Sequence, residues 1–374
     1  MNAQILYNIG DIRYEQKDTL VAGAGEALVR VTRCGICGSD IPRVFKTGAH
    51  NMPLVPGHEM CGVVEKCEER SEIVGKRVGI FPLIPCKKCS QCLAGHFEMC
   101  ENYDYLGSRS DGGFAEYVRV PVWNLVPIPD EIEDDEAAML EPMCVAIHAI
   151  RGIGLIDRIE ASDGSKQWIS PELSLSDPDK EPLVVVCGLG TIGLFVAMFL
   201  RDAGYRKVFC IGNKDIQKQK LLKLGYDEGS FCDVRSTDPK EFVLEKSGGQ
   251  GADYYFECIG RSDSYAQAVN LTGSLGKIML VGNPAGDMNL SRDVYWKIIR
   301  RQISLKGTWN SSFPDDWTYA LERLVEWHRE RSAGNDAPES SCLITHRFSL
   351  ADMSVGLELM RDKSEEYVKV MVEM

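Results

Sequence analysis

The chain has 374 residues, of which 44% are hydrophobic and 26% are charged, a composition typical of a folded globular protein. Because one hydrophobic core seldom organises more than about 250–300 residues, this length predicts two domains. A formal net charge of −13 argues against a nucleic-acid partner, since affinity for a polyphosphate depends on Lys and Arg.

The first residues, MNAQILYNIGDIRY, contain no basic stretch followed by a long apolar run, so we expect no secretory signal and a cytoplasmic, reducing compartment. In such a compartment the fourteen cysteines are expected to be metal ligands or buried thiols rather than disulfides. The apolar segment 183–200 is long enough to be a candidate membrane span. Its three glycines within six residues favour a strand followed by a helix instead, and we expect no membrane partner.

Short β-type runs separated by Gly and Pro fill residues 1–150 and predict an antiparallel, barrel-like domain. A polar segment rich in Ser, Asp and Pro follows and is predicted to be a long exposed connection or surface insertion. From 183 to about 282, strands alternate with helical segments, which predicts βαβ units in a doubly wound parallel sheet. The last residues, YVKVMVEM, read as a strand that packs back onto the first domain. The predicted division of the chain is 1–152, 153–290 with the insertion 156–182, and 291–374 as the return to the first domain.

The stretch CGLGTIG places Gly188, Gly190 and Gly193 as G-x-G-x-x-G between a predicted strand and a predicted helix, with Thr191 and Ile192 in the same turn. In that context the glycines allow a tight turn, the approach of a pyrophosphate and close packing of helix on strand. The helix N-terminus then supplies N–H donors to the phosphates, so the motif predicts a dinucleotide site. A glycine-rich turn without a ligand is the alternative.

The second strand of this unit, KVFCIG, ends in Gly212, Asn213 and Lys214, where an NAD-binding unit usually has an Asp or Glu for the ribose. The missing carboxylate and the cations of Lys214 and Lys218 favour the 2′-phosphate of NADP over NAD. In the alternative interpretation Lys214 is a solvated surface residue and Asp215 reaches the ribose.

The segment CKKCSQCLAGHFEMC contains Cys86, Cys89, Cys92 and Cys100 with the spacing C-x2-C-x2-C-x7-C. This tight spacing lets four thiolates surround one ion tetrahedrally, which predicts a structural zinc. Four protein ligands leave no position for a substrate. A redox dithiol and buried unligated thiols are the alternatives.

A second candidate metal group is dispersed over three motifs, RCGICGSD, PGHEM and LEPM. These motifs contain one thiolate, one imidazole and two carboxylates, a set able to hold zinc and keep a position for water or substrate. Its members are Cys37, His58, Glu59 and Glu141. Spacing alone does not assemble them, and a His next to a Glu is more often a hydrogen-bonded structural residue.

In chain order the sequence presents GICGSD, GHExxG, the four-cysteine segment, GGFAEY, an EP pair and GLGTIG. With these motifs the chain resembles the zinc-containing medium-chain alcohol and polyol dehydrogenases over essentially its whole length. The resemblance implies an α/β plus β fold, with a GroES-like barrel as catalytic domain and a Rossmann domain for the cofactor. It also implies an active site between the domains and a homodimer or homotetramer.

By position, the resemblance assigns a catalytic zinc to Cys37, His58 and Glu141, with Glu59 beside the ion as a direct or exchanging ligand. It assigns the structural zinc to the four clustered cysteines, which gives two zinc ions per chain.

The resemblance further implies that Ser39 passes on the substrate proton and that Asp40 orients the histidine ligand. Many alcohol dehydrogenases carry a relay histidine five residues after the cysteine ligand. Here that position is Pro42, so we expect the proton to leave by another route, such as water.

The implied reaction is hydride transfer between a secondary alcohol of a polyol and NAD(P). The segments GSDIPRVFKTGAH and YDYLGSRSDGGFAEY resemble members that act on galactitol 1-phosphate more than members that act on sorbitol. We therefore expect a phosphorylated polyol ahead of a free one. The residues expected to contact it are Arg43, His50, Arg109 and Trp309, with Lys46 as a further cation.

Other interpretations stay open at the sequence level. Each of these cations could be a solvated surface charge, and Trp309 could be a core residue. The whole chain could be a non-enzymatic zinc-ribbon binding protein, against which its net acidity counts. A zinc-free reductase of the quinone type would not need the dispersed metal group.

Overall fold

The computed structural model describes residues 1–160, 166–175, 181–284 and 286–374. The described chain forms two compact units, residues 1–144 with 311–374, and residues 145–310. The unit limits lie eight residues before and twenty residues after the domain limits predicted at 152 and 290.

The first unit is built on one large sheet. Its strands are β1 (Asn2–Asn8), β2 (Asp11–Gln16), β3 (Glu26–Ile36), β4 (Glu59–Cys67), β5 (Arg77–Ile80), β6 (Leu83–Ile84), β7 (Asp104–Tyr105), β8 (Tyr117–Pro121), β9 (Leu125–Pro127), β18 (Ile344–Ser349) and β19 (Lys369–Glu373). Seven of them pair in the order β18-β19-β3-β4-β5-β9, with β8 also on β3. All neighbours are antiparallel except β18 and β19.

The long central strand β3 explains why this sheet has an inner face. Its sequence EALVRVTRCGI alternates, so that Ala27, Val29 and Val31 are buried while Arg30 points to solvent. The last strand of the chain, β19, completes the sheet because Val370 pairs with Ile36 of β3. The C-terminus thus forms part of the first unit's core.

The second unit contains the strands β10 (Asp157–Glu160), β11 (Lys166–Ile169), β12 (Val184–Cys187), β13 (Val208–Gly212), β14 (Phe231–Asp233), β15 (Ala252–Glu257), β16 (Thr272–Leu280) and β17 (Ser304–Gly307). Six of these strands form a sheet in the order β14-β13-β12-β15-β16-β17, and every pair in it is parallel. This confirms the predicted doubly wound sheet. The order reverses between β12 and β15, so the carboxyl ends of these two strands border the crevice where such sheets bind ligands.

Helices of the two units connect these strands. They are α1 (Asp40–Pro42), α2 (Ser90–Leu93), α3 (Asp134–Ala138), α4 (Leu140–Ile153), α5 (Pro171–Leu175), α6 (Thr191–Asp202), α7 (Asp215–Lys223), α8 (Pro239–Lys246), α9 (Ser262–Leu271), α10 (Arg292–Arg301), α11 (Asp315–Ser332) and α12 (Met353–Asp362). Strand β12 and most of α6 account for the apolar segment 183–200, since Gly193 to Leu200 are buried. In the described ranges, no helix is both long and apolar enough to cross a bilayer.

The predicted insertion 156–182 has regular structure where it is described. Strands β10 and β11 form an antiparallel hairpin, and α5 follows it. The Ser170 hydroxyl donates to the Ala203 carbonyl at 2.8 Å, so this part packs on the end of α6 rather than running free as a connection. Residues 161–165 and 176–180 of the insertion lie outside the described residues.

Candidate active site

The four cysteines of the 86–100 segment meet in one lobe of the first unit. Their Sγ atoms all lie within 4.8 Å of one another. Cys86 Sγ and Cys92 Sγ are 4.0 Å apart, well beyond the ~2.05 Å of a disulfide. All fourteen cysteines of the chain are described, and each is a free thiol. The lobe therefore presents four separate sulfur donors to one point.

Backbone N–H groups stabilise thiolates in this lobe. Hydrogen bonds from Glu101 and Cys92 lower the pKa of Cys89 to about 6. The backbone N–H of Lys88 likewise lowers the pKa of Cys86. Burial raises the pKa of Cys92 to about 12, an energetic cost that a cation between the sulfurs would offset. A closed set of four sulfurs with these properties could hold a structural zinc.

Antiparallel pairing of β3 with β4 assembles the dispersed group. Gly35 at the end of β3 lies opposite Glu59 at the start of β4. Cys37 follows β3 by one residue and His58 precedes β4, so the two side chains come together. Sulfur, imidazole nitrogen and carboxylate oxygen of Cys37, His58 and Glu59 lie within 4.8 Å of one another.

Burial sets the charges of these groups. It lowers the pKa of His58, so the imidazole stays neutral, as a metal ligand must be. It raises the pKa of Cys37, and the negative charge of Asp40 adds to that effect. The Ser39 hydroxyl donates to Cys37 Sγ at 3.3 Å, which opposes the shift.

A buried lysine balances the carboxylate of this group. Lys369, on β19, is 1% exposed, and its Nζ donates to Glu59 Oε2 and, at 3.1 Å, to the Ile36 carbonyl. Burial lowers the pKa of Lys369 to about 8. The ion pair joins β4 to the last strand of the chain.

Asp40 supports both Cys37 and His58 from behind. Its Oδ2 accepts the Cys37 backbone N–H at 3.0 Å, and its Oδ1 lies 3.6 Å from His58 Nδ1. Asp40 is wholly buried, and Arg43 donates to its Oδ1. This carboxylate therefore holds the Cys37 backbone, faces the His58 imidazole and receives its counter-charge from Arg43.

Glu141, on α4, lies beside this group and outside its 4.8 Å cluster. Its Oε1 accepts the Tyr105 hydroxyl at 3.1 Å. Burial raises the pKa of Glu141, while His58 and the Tyr105 bond lower it. The Tyr105 ring also meets the His58 ring edge-on, with 5.8 Å between centroids.

In the second unit, the glycine turn lies between β12 and α6. Gly188 has φ +95°, a conformation that side-chain-bearing residues rarely adopt. A β-carbon at Gly193 would lie 2.1 Å from the Gly188 carbonyl oxygen, so this close approach requires glycine. A β-carbon at Gly190, the N-cap of α6, would have no atom within 4 Å, so there is open space at the helix N-terminus. Thr191 and Ile192 form the first turn of that helix.

The carboxyl end of β13 presents backbone amides and cations. The Asn213 and Lys214 N–H groups donate to Gln217 Oε1 at 2.9 and 3.1 Å, which closes the turn after Gly212. Lys218 pairs with Glu228 at 3.1 Å. Asp215, the acid that could reach a ribose, is bonded instead to Arg235, which also holds Asp233 at the end of β14.

Two family profiles match this chain, "Alcohol dehydrogenase GroES-like domain" over residues 23–130 and "Zinc-binding dehydrogenase" over residues 191–326. Galactitol 1-phosphate 5-dehydrogenase of Escherichia coli K12 is 30% identical over 312 residues, which is 80% of this chain and 82% of that protein. The chain belongs to the zinc-containing medium-chain alcohol and polyol dehydrogenases.

Two further comparisons, one of sequence and one of structure, cover nearly the whole length of this dehydrogenase. Sorbitol dehydrogenase of Halalkalibacterium halodurans is 28% identical over 373 residues, 98% of this chain and 96% of that protein. The crystal structure of galactitol-1-phosphate dehydrogenase from Escherichia coli superposes with a TM-score of 0.83, at 25% identity and 100% coverage of both chains. The predicted family and the GroES-like plus Rossmann fold are thereby confirmed, and the chain is an enzyme family member rather than a zinc-ribbon binding protein.

The residues of this dehydrogenase fit the zinc that its family implies. One sulfur, one imidazole nitrogen and one carboxylate oxygen of Cys37, His58 and Glu59 lie within 4.8 Å of one another, and a cation would stabilise this close group of donors. Thiolate, imidazole and carboxylate are the donors zinc takes in proteins. The open space at Gly190 in the same way suits a dinucleotide phosphate.

The predicted substrate residues of the dehydrogenase have different surroundings. Arg43 is occupied by Asp40, whereas His50 is exposed and its backbone N–H donates to the Ser108 carbonyl at 3.3 Å. Arg109 lies over the Tyr103 ring, 4.5 Å from the centroid. Trp309 belongs to the second unit and is 52% exposed, so it is not the core residue of the alternative interpretation.

Sequence reasoning missed three polar residues that these sites use. Lys369 interrupts the apolar run of the last strand, and that lone charge was the available signal for a buried lysine. Tyr105 carries no signal beyond its place in YDYLG. Arg235 follows the third strand of the parallel sheet, which adjoins β13, so topology alone points to it.

Proposed function

We propose that this chain is an NAD(P)-dependent dehydrogenase that oxidises a secondary alcohol of a phosphorylated polyol similar to galactitol 1-phosphate. The observation that carries the activity is the buried group of Cys37, His58 and Glu59, with the Ser39 hydroxyl 3.3 Å from the Cys37 sulfur. The substrate class is supported by the relative named galactitol 1-phosphate 5-dehydrogenase and by Arg109, which forms no ion pair with any carboxylate in the described part of the chain.

In this proposal Cys37, His58 and Glu141 hold the catalytic zinc, with Glu59 as a direct or exchanging ligand. When bound, zinc polarises an alcohol and lowers its pKa, and the nicotinamide accepts a hydride. Ser39 Oγ takes the hydroxyl proton and passes it to water, because Pro42 has no side chain that carries a proton. Asp40 and Arg43 keep His58 oriented.

The catalytic domain of the proposal is 1–152 with 291–374, and the cofactor domain is 153–290. Its dinucleotide contacts come from Gly188 to Gly193 and from the turn at 212–214. We favour NADP, because the strand β13 ends without an acid and the Asp215 carboxylate is already neutralised by Arg235. Lys214 supplies positive charge at that edge, and Lys218, which is paired with Glu228, would have to leave that carboxylate to contribute.

A spectrophotometric screen tests substrate and cofactor together. Galactitol 1-phosphate, sorbitol 6-phosphate and the free polyols are each offered with NAD and with NADP. We expect the highest kcat/KM for a phosphorylated polyol with NADP. Faster turnover of free sorbitol with NAD than of every phosphorylated polyol would overturn both parts.

The second candidate is a free-polyol dehydrogenase. It is favoured by the sorbitol dehydrogenase relative, which aligns over 98% of this chain. In the same screen it predicts equal or better turnover of sorbitol than of its phosphate.

Metal analysis tests the zinc assignments. We expect about two zinc ions per chain, one in the four-cysteine lobe and one in the dispersed group. One zinc ion per chain would contradict the catalytic assignment. It would instead suit a reductase whose dispersed group holds no zinc.

We further propose a homodimer or homotetramer in the cytoplasm. The edge strand β17 is exposed along its length, and Trp296 and Ile299 of α10 present apolar surface in the same unit. An exposed edge of this kind pairs readily with another copy. Fourteen free thiols suit a reducing compartment. Sedimentation of the purified protein distinguishes these forms from a monomer.

A further inference from the structure

Two arginines of the first unit, Arg43 and Arg109, come from the segments that carry the resemblance to phosphorylated-polyol enzymes, but their charges are used differently. The Arg43 side chain is 16% exposed and forms an ion pair with Asp40, which is wholly buried. Removing Arg43 from Asp40 to bind a ligand would leave a buried carboxylate without a counter-charge, a costly change. Arg43 is therefore needed as the counter-charge of Asp40 and is not available to bind substrate.

Arg109 has no such commitment. Among the residues that the structure describes, no carboxylate lies within ion-pair distance of its guanidinium, and its Nε is buried without a hydrogen-bond partner. Its guanidinium lies on the face of the Tyr103 ring, which attracts a cation but accepts no hydrogen bond from its N–H donors in the ring plane. The next residue, Ser110, also has a buried hydroxyl without a partner. One turn of the chain thus contains two donors that lack acceptors.

The turn that carries Arg109 is fixed in place. The Arg109 and Ser110 backbone N–H groups both donate to the Tyr105 carbonyl, at 2.9 and 3.2 Å. The Asn51 side chain donates to the Arg109 carbonyl at 2.7 Å. A guanidinium on a fixed turn loses little freedom when it binds a ligand, so its unsatisfied donors favour binding.

Aromatic side chains connect this turn to the metal-ligand candidates. The Tyr103 ring, under Arg109, meets the Tyr105 ring edge-on with 6.3 Å between centroids. Tyr105 in turn contacts the His58 ring and bonds Glu141. The Tyr103 and Tyr105 rings thus connect Arg109 to the metal-ligand candidates within the first unit.

We propose that Arg109 recognises the phosphate of the substrate, and that Arg43 does not. This inference rests on the proposed function, since it presumes a phosphorylated polyol. A phosphate offers the acceptors that a planar guanidinium binds in pairs, and the half-buried Arg109 side chain has no described carboxylate to compete for them. Binding at the far end of the polyol positions the reacting alcohol without touching it, so Arg109 determines specificity and takes no part in the chemistry.

The test compares Arg109→Met, Arg109→Lys and a matched control, Arg119→Met. Arg119 is also in the first unit, is 52% exposed and pairs with Glu26, so its replacement removes the same charge elsewhere. For each variant, kcat and KM are measured with galactitol 1-phosphate and with free galactitol, and thermal unfolding checks the fold.

Arg109→Met is expected to raise the KM for galactitol 1-phosphate by about 10- to 100-fold, the worth of hydrogen bonds to a charged group, with kcat changed less than about threefold. Turnover of free galactitol should not change, Arg109→Lys should recover part of the loss, and Arg119→Met should match the wild type. If the wild type prefers the phosphate ester and Arg109→Met keeps that preference, the inference fails while the proposed function stands. Equal losses on both substrates would show a merely structural role and overturn it. A wild type without preference for the ester overturns the proposed function and the inference with it.

Discussion

The four-cysteine lobe takes its ligand candidates from fifteen consecutive residues. The dispersed group takes its candidates from a loop, a strand and a helix that together span more than 100 residues, from Cys37 to Glu141. In the lobe, a short helix and a tight turn bring the four sulfurs together locally. In the dispersed group, the pairing of β3 with β4 brings Cys37 close to His58 and Glu59. The first group depends on spacing and the second on the topology of the whole unit.

Their charges differ as well. In the lobe, backbone N–H groups rather than charged side chains are the main cause of the lowered pKa values of Cys86 and Cys89. The dispersed group contains its own cations, Lys369 on Glu59 and Arg43 on Asp40. A site of this second kind can stay folded while one ligand exchanges, which a catalytic metal requires. Damage to the lobe should therefore reduce stability, and damage to the dispersed group should reduce activity.

Replacing Cys37 gives the largest expected effect. Cys37→Ser should lower kcat at least about 1,000-fold, because a serine oxygen is a poor substitute for a thiolate on zinc. The zinc content should fall from about two ions to about one per chain, and thermal unfolding should stay within a few degrees of the wild type. Full activity of Cys37→Ser would contradict a catalytic role for the dispersed group. An unfolded variant would show that this group, like the lobe, is needed for stability.

Cys89→Ser is the converse experiment in the lobe. Loss of a structural metal is among the few single changes that cost about 4 kcal/mol or more, so the midpoint of thermal unfolding should fall clearly. The activity per folded molecule should stay near that of the wild type at low temperature. A variant as stable as the wild type but inactive would reverse the roles assigned to the two groups.

Lys369→Met sharpens the comparison of charge balance. It leaves the Glu59 carboxylate buried without its partner, which should reduce the free energy of unfolding of the metal-free protein by about 3 kcal/mol. Added zinc should restore part of this loss, because the ion supplies the missing positive charge. Lys369→Arg keeps the charge and serves as the matched variant.

Chemical denaturation with and without zinc measures both Lys369 variants. If Lys369→Met and Lys369→Arg are equally stable without metal, the lysine charge does not balance Glu59. The dispersed group would then have no charge balance of its own to set it apart from the lobe.

The sequence predicted the lobe and the parallel sheet because both depend on neighbouring residues. A fixed Cys spacing and a strand, glycine turn and helix in succession are local signals, and the structure has them at Cys86 to Cys100 and at Gly188 to Gly193. The dispersed group became visible only through resemblance to a family. No local rule links Cys37 to Glu141, since their meeting depends on how the strands pair.

Partners that act across the chain escaped prediction for the same reason. Lys369 reaches Glu59 because β19 pairs with β3, a contact between residues 310 positions apart. Arg43 was expected to contact substrate because its charge was visible and its acceptor, Asp40, had been given another role. The hairpin within 156–182 was missed because its polar composition is typical of a loop. Its contacts come from elsewhere in the chain: Arg151 lies over the Trp168 ring of β11, and the Ser170 hydroxyl after the hairpin donates to the Ala203 carbonyl.

The smallest expected effect comes from removing the hydroxyl of Tyr105. This hydroxyl bonds Glu141 in the dispersed group and does not touch the four-cysteine lobe. Burial raises the pKa of Tyr105 well above its usual value, so the phenol keeps its proton and donates it to Glu141. Tyr105→Phe leaves the ring on His58 but removes that donor, and kcat/KM should fall about two- to tenfold, the usual worth of one such bond. Tyr103→Phe, which keeps the ring under Arg109, should match the wild type and is the control. An equal loss of kcat/KM in Tyr105→Phe and Tyr103→Phe would mean that the bond to Glu141 is not what sustains the site. The zinc content of the lobe should be the same in both variants and in the wild type.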